Sequence, residues 1–301
     1  MNVLPRVIPL LPATAQPRAP KPEWLKVRAP GSPSYLRLKS LMRDLQLNTV
    51  CEEARCPNLA ECWAHGTATF MILGNLSTRG CGFCSVPKSR HPGALDPDEP
   101  GHVARMASAM QLKHVVITSV NRDDLEDGGS EHFAATIREV RAALPEARVE
   151  ILTPDFQGDL AAVARVLDAG PDIFNHNMET VPRLYRRVRP QADYRQSLAV
   201  LKFAKQHRPG ALTKSGAMLG LGETVEEVHQ LMRDLRKADV DVVTLGQYLQ
   251  PTRRNLPVSE FIPPAQFDAY RDFGLSLGFK MVFSGPLVRS SYRADKVAEQ
   301  A

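Results

Sequence analysis

Residues 51–84 read CEEARCPNLAECWAHGTATFMILGNLSTRGCGFC, and all five cysteines of the 301-residue chain lie in this stretch. Cys51, Cys56 and Cys62 are separated by four and five residues, whereas Cys81 and Cys84 are separated by two, so the thiols fall into two groups and imply two sites. Between them GTATFMILGN, rich in Thr, Phe, Ile and Leu and ending in Gly-Asn, has the composition of a short buried strand followed by a turn. The second group therefore sits on the loop leaving a strand. Thiolates suit soft metals, and iron–sulfur clusters are held by cysteines at short, irregular spacings of this kind. A zinc site would more naturally show four Cys or His ligands in pairs, and only one Cys-x-x-Cys pair is present. An odd count, tight clustering and no secretory segment argue against disulfides.

Outward from that strand, apolar stretches and helical patterns alternate. FMILGN, HVVITSV (114–120), RVEILTPD (148–155), DIFNHNME (172–179), LTKSGAMLG (212–220) and DVVTLGQYL (241–249) are six candidate strands. Helical patterns lie near 97–111, 130–144, 158–169, 193–207 and 223–239, with Ser130 a candidate cap of the second. Alternating βα units with nearly continuous apolar strands predict an α/β fold with a parallel sheet flanked by helices, here a partial (βα)6 barrel. Chemistry in such a barrel gathers at the C-terminal ends of the strands. There the sequence turns polar: Ser77, Cys81 and Cys84; Thr118, Ser119 and Asn121; Asn175, His176, Asn177 and Glu179; Lys214 and Ser215; Gln247 and Tyr248. Each alone reads as turn or cap chemistry. Pointing at one face, they read as a pocket.

The ends bound the domain. Seven prolines between Pro5 and Pro30 prevent a sustained helix in residues 1–31, which read as an arm. Residues 32–68 form an N-terminal extension, in which Ser32-Pro33 opens a helix through YLRLKSLMRDLQL; residues 69–250 form the barrel, and 251–301 a C-terminal extension with a helix opened by Pro263-Pro264. No apolar run is long enough to span a membrane, and no signal-peptide core is present, so cysteines kept free for metal point to a cytoplasmic protein. The net charge of +5 fits an acidic partner without requiring one. The Gly-rich TKSGAMLGLGET (213–224) lacks the phosphate-cradling Walker pattern.

The whole pattern resembles the lipoyl synthase family of radical S-adenosylmethionine (SAM) enzymes over roughly residues 35–295. The likeness is carried by the Cys51/Cys56/Cys62 triad, STRGCGFC (77–84), TSVNRDDLEDGG (118–129), NHNMETVPRLYRRVRP (175–190) and RSSY (289–292), in that order. It implies two [4Fe–4S] clusters: an auxiliary, sacrificial one on Cys51, Cys56, Cys62 and Ser291, and a SAM-binding one on Cys81, Cys84 and the position held here by Ser77. It further implies SAM contacts from Thr118, Asn121, Asn175, Glu179, Lys214 and Ser215. The implied reaction inserts two sulfur atoms at C6 and C8 of an octanoyl group, with Ser291, Cys81 and Cys84 serving catalysis. The implied partners are an octanoylated lipoyl-carrier domain, an electron donor such as flavodoxin or ferredoxin and an iron–sulfur assembly carrier, without nucleic acid or membrane. The arginines at 183, 186, 187 and 189 are either a dock for the acidic carrier or a solvated helix face. Where the motif has cysteine, Ser77 offers a harder and less acidic donor, so the SAM cluster is expected to be weakly held and activity impaired. Two other readings are a methylthiotransferase-like radical SAM enzyme and a non-catalytic iron–sulfur protein.

Overall fold

In a computed structural model, the described residues are 20–25, 40, 42, 43, 45, 47–49 and 67–291. One eight-stranded sheet runs in the order β1 to β8: β1 (Asn48–Thr49), β2 (Thr67–Ile72), β3 (His114–Ser119), β4 (Arg148–Leu152), β5 (Ile173–Asn175), β6 (Leu212–Leu219), β7 (Val242–Gln247) and β8 (Met281–Gly285). β1 is antiparallel to β2, and every later neighbour is parallel. The helices are α1 (Glu99–Ala109), α2 (Ser130–Ala143), α3 (Leu160–Asp168), α4 (Tyr185–Val188), α5 (Tyr194–His207), α6 (Val225–Lys237) and α7 (Pro264–Ser276). The six expected strands are β2 to β7, and the five expected helices are α1, α2, α3, α5 and α6, as βα alternation requires.

Strand side chains alternate between faces. On the outer face Val115, Ile117, Val149, Ile151 and Phe174 join one continuous core with apolar residues of the flanking helices. Each fully buried Val, Ile or Phe there stabilises the fold by about 1.5–3 kcal/mol. On the inner face Ile173, Leu212, Val242 and Met281 form a separate small cluster, one residue from each of β5 to β8. This cluster is the barrel floor. Two residues further along β5 and β6, Asn175 and Lys214 pair in register on the same inner face, so the lumen becomes polar toward the strand ends.

Three local features depart from the expectations. The closing segment does not leave the sheet: β8 adds a seventh parallel strand after α7, paired to β7 from Val242↔Met281 to Gly246↔Gly285. β5 is three residues long instead of eight. Its polar continuation turns inward, and Glu179, at φ 66°, bridges Ala217 of β6. Ser130 does not cap α2; Gly129 occupies the cap at φ 85°, and the Asp127 carboxylate accepts from the Gly129 and Glu131 N–H groups at 2.9 and 2.8 Å. A Cβ at Gly129 would sit 2.5 Å from Leu73 Cδ1, so both conformation and space require glycine there. Of the expected N-terminal helix, Ser40, Met42 and Arg43 are helical, and Met42 is buried. Leu45 lies in a turn and the buried Leu47 just before β1, so the helix does not reach Leu47; its other residues, with Cys51, Cys56 and Cys62, lie outside the described residues.

Candidate functional site

The loop leaving β2 is fastened on every side. Ser77 forms a parallel bridge with Lys88: its N–H donates to Pro87 O at 2.9 Å, and its carbonyl accepts from Ser89 N–H at 3.0 Å. The Thr78 N–H and hydroxyl both donate to Asn121 O, at 2.9 and 3.0 Å. Gly82 N–H donates to Val188 O at 2.8 Å, Leu256 N–H to Gly82 O at 3.0 Å, and Asn255 Nδ2 to Cys84 O at 2.9 Å. A Cβ on Gly82 would lie 2.8 Å from Leu256 Cδ1, so glycine lets the 252–256 loop close over the cysteines.

Arg79, from the middle of this loop, reaches inward. Its guanidinium donates twice to Asp123, at 2.7 and 2.8 Å, and lies 2.8 Å from Asp155 Oδ1. Gln196 Nε2 donates to the other Asp155 oxygen at 3.0 Å. Burial alone would raise the Asp155 pKa, yet the hydrogen bond and charge of Arg79 outweigh it and hold the carboxyl down at about 2. One arginine thus ties the cysteine loop to the ends of β3 and β4.

Cys81 and Cys84 are free, half-buried thiols. Burial pushes the Cys81 thiol up to about 11 against the opposing pull of Arg189, and burial likewise raises Cys84, with Lys88 acting in the opposite direction. Glu179 acts on both thiols. Its own pKa is raised by burial, which Arg189 partly offsets, and Asn177 Nδ2 donates to it at 3.1 Å. Glu179 thus acts electrostatically on both thiols, and Arg189 on Cys81 and on Glu179. Among the described residues no group of three His, Cys, Asp or Glu side chains is placed to hold a metal ion. A three-thiolate cluster thus finds two thiols here and, at the third position, the buried hydroxyl of Ser77, which accepts from Arg79 N–H at 3.3 Å. That donor set does not match.

Below the mouth, Lys214 and Glu150, both fully buried, form an ion pair of 2.8 Å. Burial opposes ionisation of Glu150, but Lys214 and His114 outweigh it and hold that carboxyl down at about 2. Asn175 Nδ2 donates to the same Glu150 oxygen at 3.3 Å, leaving Asn175 Oδ1 buried without a partner. Lys214 and Asn175 thus come together in the lumen. Ser215, next along β6, points to the opposite face. Thr118 donates its hydroxyl to Leu152 O at 2.9 Å, and Asn121 meets the cysteine loop through its carbonyl. His176 is a satisfied core histidine between Thr153 O at 2.9 Å and Ser197 Oγ at 3.0 Å; burial and Arg189 push it down to about 4. Ser291 is the last described residue and is half-buried.

The arginine run divides. Arg183 pairs with Glu227 at 2.6 Å, and Arg189 is buried, donating to Asn177 O at 2.8 Å. Arg186 and Arg187 remain exposed. Arg79, Asp123, Asp155 and Glu150 were not singled out from the sequence. Arg79 and Asp123 carried a signal only as parts of STRGCGFC and TSVNRDDLEDGG; the acidic partners of Arg79 lie 44 and 76 residues away and no local pattern links them to it.

A radical SAM superfamily model matches residues 71–235, and a model of the N-terminal domain of lipoyl synthase matches residues 11–56. The chain is 57% identical to a lipoyl synthase of Rubrobacter xylanophilus, over 93% of this chain and 87% of that protein. It is 55% identical to a lipoyl synthase of Thermus thermophilus, over 93% and 87%. Among solved structures, the FeFe-hydrogenase maturase HydG from Carboxydothermus hydrogenoformans superposes with a TM-score of 0.56 at 13% identity, covering 89% of this chain and 78% of that one. At that identity the likeness concerns the fold alone.

Proposed function

This chain belongs to the lipoyl synthase family of radical SAM enzymes, and on that premise we propose that its barrel is built to insert two sulfur atoms at C6 and C8 of an octanoyl group on a carrier-protein lysine, an activity impaired in the unmodified chain by Ser77. The family's SAM and [4Fe–4S] cluster supply radical chemistry at unactivated C–H bonds, which no side chain performs. The observation that carries the reading, beside family membership, is the cysteine loop fastened by hydrogen bonds at the C-terminal end of β2, the first barrel strand. Arg79 positions the loop. Glu179 and the unpartnered Oδ1 atoms of Asn175 and Asn177 offer hydrogen-bond acceptors to donors of the bound cofactor or substrate. The lumen, with its apolar floor, shields the reacting carbon from water.

Cys51, Cys56, Cys62 and Ser291 hold the second, sulfur-donating cluster in this proposal, and residues 32–68 and 251–301 close over the barrel. The octanoylated carrier docks on the exposed cations around the cysteine loop: Arg186 and Arg187, with Lys88, Arg253 and Arg254. Among the described residues none of these five takes part in an ion pair. A cytoplasmic location accords with the free thiols, and no helix among the described residues is long and apolar enough to cross a membrane. The test is complementation of a lipoate auxotroph lacking its own lipoyl synthase, with the unmodified chain and with Ser77→Cys. Growth without lipoate from at least one of them is expected, and growth from neither, with both expressed and folded, refutes the proposal.

A further inference from the structure

The mismatch at Ser77 has a definite structural form. The loop that carries the motif is complete: its backbone is pinned by Pro87 and Ser89 at position 77, by Asn121 at 78, by Val188 and Leu256 at 82 and by Asn255 at 84. Ser77 is only 6% exposed, so it is not a surface replacement free of consequence. Its oxygen already accepts the Arg79 N–H. No other Cys, His, Asp or Glu among the described residues completes a ligand group with Cys81 and Cys84, and Glu179, although close enough to act on both thiols, does not form such a group.

We infer that this chain carries a two-thiolate version of the SAM-cluster site, in which Ser77 is a structural hydrogen-bonding residue and not a ligand, on a scaffold one atom away from a three-thiolate set. The inference rests on the radical SAM reading of the same site. A neutral hydroxyl is a poor donor to iron in a sulfide cluster, and loss of a first ligand weakens metal binding by more than the roughly 10- to 100-fold that follows loss of an outer-shell partner. The scaffold supplies the rest: the bridge to Lys88 fixes the backbone at 77 whatever its side chain, so Oγ to Sγ changes the donor and little else. Thus Ser77→Cys completes the site, and Ser77→Ala removes no ligand from it, only the acceptor of the Arg79 N–H.

The test uses the full-length unmodified protein, Ser77→Cys and Ser77→Ala, reconstituted anaerobically with iron and sulfide. Iron per chain, the change in the electron paramagnetic resonance spectrum of the reduced protein on adding SAM, 5′-deoxyadenosine formation and thermal midpoint are measured for each. The unmodified and Ala chains are expected to be alike, with about four irons on the auxiliary site, no SAM-dependent spectral change and little 5′-deoxyadenosine. Ser77→Cys is expected to carry about eight, to show the SAM-dependent change and to raise 5′-deoxyadenosine by roughly 10-fold or more. About eight irons in the unmodified chain, lost in Ser77→Ala, would make the serine oxygen a ligand and overturn the inference. Equal iron and turnover in all three would overturn it as well, with the family assignment intact. A Ser77→Cys protein that keeps its thermal midpoint but gains neither iron nor SAM cleavage would overturn both the inference and the radical SAM reading on which it rests.

Discussion

Two buried ion clusters lie at different depths of the same barrel and are assembled in different ways. The deeper one, Lys214 with Glu150, His114 and Asn175, comes entirely from β3, β4, β5 and β6. The upper one, Arg79 with Asp123 and Asp155, comes from the loops that follow β2, β3 and β4. Strand register places the first, so it stands or falls with the sheet. The second is the means by which a loop is held to the sheet. Fold and site therefore have separate supports, and each can be removed without the other.

The largest effect is expected in the deep cluster. Glu150→Leu strands the Lys214 ammonium in the lumen and should destabilise the protein by about 3–5 kcal/mol, whereas Glu150→Leu with Lys214→Met should recover most of that loss. Denaturant unfolding of the two variants measures the difference; equal losses would mean that the lumen tolerates a lone ammonium. In the upper cluster Arg79→Lys keeps the charge but loses the planar fork, a change of about 1–3 kcal/mol. Amide exchange should rise in residues 77–89 and stay unchanged in β3 and β4. A uniform rise along the sheet would merge the two supports into one.

The clusters share an acid dependence that sharpens the comparison. Asp155 and Glu150 have ordinary values of 3.8 and 4.5 and are both held down to about 2 in the folded protein. A carboxyl depressed by folding stabilises the native state above its unfolded pKa, and that contribution is lost as pH falls toward the folded value. Unfolding midpoints should therefore decline from about pH 4.5 toward pH 2. The decline should be shallower in Glu150→Leu with Lys214→Met, while the part due to Asp155 persists; an unchanged slope would remove Glu150 from the account. The smallest effect on stability belongs to Arg186→Glu with Arg187→Glu, expected within about 0.5 kcal/mol because both side chains are exposed. Association with an octanoylated carrier domain should slow more than dissociation quickens, and the difference should shrink with added salt. Salt-independent binding would place the dock elsewhere.

The sequence made the barrel legible because β2 to β7 carry near-continuous apolar runs separated by helical periods. It concealed β8, whose MVFSG follows a helix and a glycine, is short and has only one buried residue. At the site, Cys81 and Cys84 were readable from spacing, and Ser77 only through the resemblance to the family motif. The partners that hold them were not, because Arg79–Asp155 and Lys214–Glu150 join residues 76 and 64 apart, a matter of sheet register and not of local pattern. The arginine run was legible as charge but not as geometry. One helical turn sends Arg189 inward to the Asn177 carbonyl while Arg186 and Arg187 stay outside.

The central claim, that the barrel mouth is a sulfur-inserting radical site, meets its most direct test in the mass of the product. Ser77→Cys protein, reconstituted with an isotopically heavy sulfide, is mixed anaerobically with SAM, a reductant and an octanoylated carrier domain. The account predicts a carrier bearing two heavy sulfur atoms on its octanoyl group. An octanoyl group that emerges unchanged while SAM is cleaved, or one that gains a single methylthio group, would contradict it.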